Sequence, residues 1–135
     1  MLLTRQYIMG TAFQGLNISS AGINTIDGEP ITQCMAVLLE EMGIDSTDFR
    51  STMITSEIIR DSGIIIVLDN THRRYINRVS PHSRVYFLAD MIDGNFIHRE
   101  IPDPFGMDFI YYRQAFGIIR NSVCRMVREN FYSLL

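Results

Sequence analysis

The chain has 135 residues, of which 47% are hydrophobic and 20% are charged, and its formal net charge is −3. This length and balance predict one globular domain over residues 1–135 that buries about two thirds of its unfolded surface. The mild acidity argues against nucleic acid as a partner, because nucleic-acid binders usually present a basic face. No apolar run approaches the roughly 20 residues of a membrane-spanning helix, and the first residues lack a signal-peptide pattern, so we expect no membrane partner.

The two cysteines, Cys34 and Cys124, lie far apart in the sequence and lack the short spacing of a disulfide framework or a zinc site. Free thiols of this kind are typical of a reducing compartment, so we expect a cytoplasmic protein. His82 and His98 lie on different segments without metal-ligand spacing. The sequence therefore predicts neither a metal site nor a cofactor.

The spacing of apolar residues predicts alternating helices and strands. Residues 64–68 are five consecutive apolar residues, mostly β-branched, which is typical of a strand covered on both faces. Side chains that can cap helices precede two of the predicted helices. In chain order, the predicted elements are a helix over 4–15, a strand over 16–20, a loop over 22–29, a helix from Pro30 to Met42, a helix from Thr55 or Ser56 to about Gly63, a strand over 64–68, a helix from Asp69 or Asn70 to before Pro81, a strand over 84–88 and a helix over 107–134.

Strands that alternate with helices predict an α/β fold, with a parallel sheet between helices on both faces. Open sheets of this kind bind ligands at the carboxyl ends of their strands. In this sequence those ends lead into Ala21-Gly22, residues 69–72 and Ala89-Asp90. We therefore expect a binding crevice there.

Asp103 lies between two prolines, Pro102 and Pro104, which restrict the backbone on either side of the carboxylate. A rigid acidic loop is what a positioned general acid requires. The same residues are also common in ordinary turns, so the motif alone leaves both interpretations open.

The order of these features along the whole chain resembles the low-molecular-weight protein-tyrosine phosphatases. The Phe105-Gly106 form of the loop is similar to the bacterial branch, which includes arginine-phosphate as well as tyrosine-phosphate hydrolases. The resemblance implies a flavodoxin-like three-layer sandwich, with Asp103 at the general-acid position. Ser20, Asp69, His72 and Phe105 are then the predicted binding residues of the crevice. The features that carry the resemblance are Ser20-Ala21-Gly22, Gly28-Glu29-Pro30, Gly43-Ile44-Asp45, the strand over 64–68 with Thr71-His72, Pro81 before the strand over 84–88, and Asp103-Pro104-Phe105-Gly106 before the last helix.

The chain departs from the family in its chemical centre. The family's first strand leads into Cys-x5-Arg-Ser, whose backbone amides and arginine hold the phosphate while the thiolate attacks. The motif needs an arginine six residues after the cysteine. In this chain that position is Glu40 for Cys34 and Asn130 for Cys124, so neither cysteine forms the motif. By the resemblance, the missing strand and loop would immediately precede Met1.

Three functions remain open from the sequence. We predict first a catalytically inactive domain that acts as a binding or regulatory module. The alternative is a tyrosine or arginine phosphatase whose nucleophile loop is missing from this chain. The third alternative is an enzyme with different chemistry, in which Asp69, His72, Asp90 and Asp103 face one crevice.

The missing strand is central in the family's sheet order, 2-1-3-4, and would pair with the strands over 16–20 and 64–68. Unpaired buried backbone groups cost about 1–3 kcal/mol each, so we expect the gap to be closed. The two strands could pair directly, copies could exchange a segment, or a partner could supply a strand. The sequence therefore predicts a homo-oligomer or a protein partner that fills the gap.

Overall fold

Short helices surround two parallel strands in this protein. The computed structural model describes residues 1–135, apart from the side chain of Asn130. In chain order, its elements are α1 (Leu2–Ile8), α2 (Gln33–Glu41), α3 (Ser56–Asp61), β1 (Ile65–Val67), α4 (Asn70–Val79), β2 (Val85–Phe87), a 3-10 helix (Leu88–Ile92), α5 (Phe109–Arg125), a π-helical segment (Met126–Asn130) and α6 (Phe131–Leu134). None of the helices among the described residues is both long and apolar enough to cross a bilayer.

The sheet divides the hydrophobic core into two parts. β1 and β2 pair in parallel, with Ile65 opposite Val85 and Val67 opposite Phe87. Because successive side chains of a strand point to opposite faces, Ile66 packs against a larger core that includes residues of α1, α2 and α5. Val67 packs instead into a smaller core with residues of α3 and α4. The predicted α/β fold, with helices on both faces of a parallel sheet, is confirmed.

Local capping chemistry fixes several helix ends where the sequence predicts them. The Thr55 hydroxyl oxygen accepts a hydrogen bond from the Ile58 N–H at 3.2 Å and begins α3. Asp69 caps α4 in the same way, through the His72 N–H. Gly43 follows α2 with a φ of +71°, a conformation that glycine adopts without the Cβ penalty. The predicted start of α2 at Pro30 is wrong, since the helix begins at Gln33.

The amino-terminal part differs most from the prediction. The helix predicted over 4–15 ends at Ile8, and Gly10 then adopts a φ of +73°. The strand predicted over 16–20 is wrong: these residues form no ladder, and the Arg5 Nε–H donates to the Ile18 carbonyl at 3.2 Å. An isolated parallel bridge joins Gly22 to Met53 instead. The direct pairing of 16–20 with β1, one of the three expected ways to close the sheet, is therefore not formed.

The carboxyl-terminal helix is slightly shorter than predicted and is not α-helical throughout. It begins at Phe109 rather than 107, passes through the π-helical segment, and ends at Leu134. The 3-10 helix directly after β2 has no counterpart among the predicted elements. It places Asp90 in the interior, with 1% of its surface exposed.

Candidate functional site

A crevice of about 260 Å³ lies beyond the carboxyl end of β1. Polar residues border it on two sides, at the start of α4 and in the loop before α5, and apolar side chains of α2 and α5 line its interior. Typical ligand pockets measure about 300–1,000 Å³, so this crevice suits a side chain or a small group. Its lining residues are Thr32, Met35, Leu68, Asp69, His72, Ile101, Pro102, Asp103, Pro104, Phe105, Tyr112, Ala115 and Ile119.

The acid loop, residues 102–106, holds Asp103 in a defined position. Its Oδ1 accepts the Phe105 N–H at 3.0 Å, and the Met107 N–H donates to the Pro104 carbonyl at 2.9 Å. Asp103 Oδ2 has no hydrogen-bond partner elsewhere in the described part of the chain. Asp103 is exposed and lines the crevice, where a proton-transfer role requires its carboxylate.

The segment before the acid loop is tied to the end of β1. The Ile101 N–H donates to the Leu68 carbonyl at 2.8 Å, and the Asn70 N–H donates to Glu100 Oε1 at 2.7 Å. These two bonds cross between segments that are about 30 residues apart. They fix the distance between the start of α4 and the acid loop, and therefore the width of the crevice.

Asp90 does not face the crevice. Its Oδ2 accepts the His98 N–H at 2.9 Å and its Oδ1 accepts the Arg99 N–H at 2.9 Å, so both carboxylate oxygens bind backbone amides. The prediction that Asp90 joins Asp69, His72 and Asp103 in one crevice is wrong for this residue. The reason is the 3-10 helix after β2, which turns its carboxylate inward.

Asp69 and His72 form a pair at the start of α4. Asp69 Oδ1 accepts the His72 N–H at 2.9 Å and lies 3.3 Å from His72 Nδ1. About one third of the imidazole and one quarter of the carboxylate side chain are exposed. The crevice therefore offers two carboxylates and one imidazole, which are groups suited to proton transfer and to binding cationic or neutral polar groups.

Three of the four predicted binding residues line the crevice with Asp103, namely Asp69, His72 and Phe105. Ser20 lies elsewhere: it is exposed, and its Oγ is 4.0 Å from Met1 Sδ. Among the described residues, no three His, Cys, Asp or Glu side chains converge as metal ligands.

The sequence did not identify the apolar wall of the crevice. Tyr112, Ala115 and Ile119 follow one another at steps of three and four residues, which places them on one face of α5. This periodicity was visible in the sequence. It identifies a buried face but not which segment lies opposite.

The comparisons with known proteins agree with this architecture. The model of the low molecular weight phosphotyrosine protein phosphatase family matches residues 3–130. The probable low molecular weight protein-tyrosine-phosphatase AmsI of Erwinia amylovora is 24% identical over 125 residues, which cover 92% of this chain and 85% of the relative. The probable low molecular weight protein-tyrosine-phosphatase EpsP of Ralstonia solanacearum is 23% identical over 120 residues, which cover 87% of this chain and 79% of the relative.

Solved structures show the same fold. The YwlE arginine phosphatase from Geobacillus stearothermophilus superposes with a TM-score of 0.81 at 20% identity, over 97% of this chain and 84% of that one. YfkJ from Bacillus subtilis superposes with a TM-score of 0.82 at 17% identity, over 98% of this chain and 84% of that one. Since the family match covers nearly the whole chain and the fold agrees with it, the chain belongs to the low molecular weight phosphotyrosine protein phosphatase family.

Proposed function

We propose that the 135-residue chain is a phosphatase-family domain that binds a partner without hydrolysing phosphoesters. The observation that carries this proposal is the placement of the two thiols. Cys34 lies within α2 and Cys124 within α5; both are half-buried, and neither lines the crevice. A nucleophilic thiol needs a loop whose free N–H groups bind the phosphate and lower the thiol pKa. Cys124 lies in the body of α5, where those N–H groups are already bonded to carbonyl oxygens, whereas Cys34, the second residue of α2, lies outside the crevice.

The charges around the crevice support the same proposal. Among the described residues that line it, Asp69 and Asp103 carry carboxylates, and none is lysine or arginine. A phosphate dianion placed there would be repelled by both carboxylates, with only the His72 imidazole as a possible counter-charge. The apolar wall and the carboxylates instead suit an apolar group next to a cationic one.

Hydrolysis of p-nitrophenyl phosphate by the purified chain tests the proposal. We expect no turnover above background, because removing the nucleophile of a covalent route typically costs about 10⁶-fold in rate. Cys34→Ser and Cys124→Ser are the matched controls and should behave like the parent. Vanadate-sensitive turnover that disappears in either variant would show that the chain is an active phosphatase.

The acid loop supports a second candidate, a phosphoester hydrolase that uses a nucleophile loop not contained in these residues. Asp103 lines the crevice and is exposed, as a general acid must be. Fusing a family-like strand and Cys-x5-Arg-Ser loop ahead of Met1 tests this candidate directly. It predicts that the fusion hydrolyses an aryl phosphate and that Asp103→Asn lowers turnover by about 10²–10⁴-fold. If the fusion folds but is inactive with either aspartate or asparagine at position 103, the result contradicts this candidate.

A further inference from the structure

The loop over residues 93–98 contacts β2 on both faces of the strand. Phe96 lies against Tyr86, with ring centroids 6.1 Å apart. His98 stacks on Phe87, with ring centroids 5.0 Å apart and an angle of 26° between the ring planes. Because successive side chains of a strand point to opposite faces, the loop must straddle the carboxyl end of β2 to make both contacts.

His98 adopts a backbone conformation that is costly for a histidine. Its φ is +61°, and no other non-glycine residue of the described backbone has a positive φ. Such a conformation persists only where surrounding contacts hold it. Here the His98 N–H donates to Asp90 Oδ2 at 2.9 Å, the ring stacks on Phe87, and the ring also contacts Arg73. The loss of one of these contacts therefore favours a different conformation of His98 and of the loop.

The contact between Arg73 and His98 depends on the protonation state of the imidazole. Arg73 Nη1 lies 2.7 Å from His98 Nδ1 and 3.2 Å from Nε2, and the guanidinium carbon lies 5.8 Å from the centre of the Phe87 ring. A guanidinium only donates hydrogen bonds, so the imidazole must accept, and only the neutral ring has an acceptor nitrogen. Protonation removes this acceptor and places a second positive charge beside the guanidinium. Both effects act against the contact.

The other charged groups around the imidazole do not replace this contact. The Asp90 carboxylate attracts an imidazolium, but its bonds go to the backbone N–H groups of His98 and Arg99 and do not depend on the protonation of the ring. In the described chain, no carboxylate lies within ion-pair distance of the His98 ring. The charged and titratable groups on the surrounding elements are Asp90 on the 3-10 helix, Asp93, Arg99 and Glu100 on the loop and next to it, Tyr86 on β2, and His72, Arg73 and Arg74 on α4.

We propose that Arg73 and His98 form an acid-sensitive latch. The latch holds the loop over residues 93–98 closed over β2 near neutral pH and releases it when His98 is protonated. Histidine suits this role because it is the side chain that ordinarily changes charge between about pH 5 and 8, and His98 is exposed to solvent. This regulation goes beyond the proposed function and does not depend on it.

The released segment has a defined end. The Ile101 N–H is bonded to the Leu68 carbonyl, and Glu100 accepts the Asn70 N–H, so the residues that follow the loop are held independently of the latch. Acid therefore moves the tip of the loop and leaves the acid loop in place. The tip carries two large apolar side chains, Phe96 and Ile97, which are 53% and 66% exposed.

Amide hydrogen exchange of the full chain, followed by NMR at about pH 7.5 and about pH 5, tests the latch. Each rate is divided by that of an unstructured peptide at the same pH, which removes the direct effect of pH on exchange. The protection of the His98 and Arg99 amides should fall by about fivefold or more at the lower pH. The amides of α5 should keep their protection, which shows that the fold is intact.

Four variants assign the effect to the two side chains. His98→Asn places an acceptor oxygen near the position of Nδ1, tolerates a positive φ and does not titrate, so the protection should be equal at both pH values. Arg73→Gln removes the charge and offers an oxygen that accepts from an imidazolium, so the acid-dependent loss should disappear. Arg73→Lys keeps a positively charged donor and should retain the loss. His82→Gln, at an exposed histidine outside the loop, is the matched control and should behave like the parent.

Equal protection at both pH values in the parent overturns the proposal. An acid-dependent loss that persists in His98→Asn or in Arg73→Gln also overturns it, because a group other than this pair would then be responsible. If His98→Asn does not fold, the comparison of Arg73→Gln with Arg73→Lys decides with the histidine unchanged. Turnover of p-nitrophenyl phosphate by the same preparations refutes the proposed function and leaves the latch unaffected.

Discussion

Replacing Asp90 with asparagine tests how the segment before the acid loop is held. Asp90 is 1% exposed, and its two carboxylate oxygens accept the N–H groups of His98 and Arg99, both at 2.9 Å. Asparagine has nearly the same size but offers one acceptor oxygen. Its NH₂ group would face a backbone N–H, so one donor loses its partner.

The expected cost follows from that lost partner. An unsatisfied buried donor costs about 1–3 kcal/mol, and the remaining bond is weakened because its acceptor is no longer charged. We therefore expect Asp90→Asn to lower the free energy of unfolding by about 1–3 kcal/mol. If the loss is confined to this segment, the amides of His98 and Arg99 should exchange with solvent about five- to 150-fold faster.

Urea unfolding followed by circular dichroism measures the first quantity, and amide hydrogen exchange measures the second. Asp93→Asn is the matched control: it lies three residues away, is exposed, and binds Asn95 and the Arg99 side chain. It should leave the His98 amide as protected as in the parent. The reasoning is refuted if Asp90→Asn unfolds at the parent's urea concentration and the two amides exchange at parental rates.

Two further changes test local contacts. Asp69→Ala should lower the free energy of unfolding by about 0.5–2 kcal/mol, because α4 loses the cap on the His72 N–H. Asparagine caps helices as well as aspartate does, so an equal loss in Asp69→Asn would argue against capping. The Asn95 N–H, followed by the Arg99 side chain, lowers the pKa of Asp93 below its ordinary 3.8, so the unfolded chain binds the proton more readily. The resulting stabilisation is present above about pH 4 and is lost as the pH falls through the folded-state pKa. Carbon-13 NMR titration should give a pKa below 3.8 that rises part of the way in Arg99→Gln, and a parental value at or above 3.8 would contradict this.

Features set by neighbouring residues could be predicted from the sequence. Thr55 and Asp69 cap helices because each side-chain oxygen reaches an N–H only three residues away. The apolar run over 64–68 predicts a strand covered on both faces, because it is short and most of its residues are β-branched. These elements position the crevice, so its location at the strand ends was predictable as well.

Features that depend on a distant partner could not be predicted. Residues 16–20 have the composition of a strand, but a strand needs a neighbour to pair with, and the described chain places none beside them. The role of Asp90 depends on the amides of His98 and Arg99, which belong to a loop without periodicity. The position of Ser20 could not be predicted for the same reason. Its motif matches the family, but its side chain lies away from the crevice.

The segment that leads into the acid loop is held by hydrogen bonds to the end of β1, to the start of α4 and to Asp90. In these hydrogen bonds the Ile101 N–H donates to the Leu68 carbonyl, the Asn70 N–H to the Glu100 carboxylate and the His98 N–H to the Asp90 carboxylate, all within residues 68–101. None of these contacts involves a nucleophile loop, so selection for a stable fold is enough to preserve the position of the acid loop. The presence of this loop therefore does not by itself distinguish active from inactive members of the family.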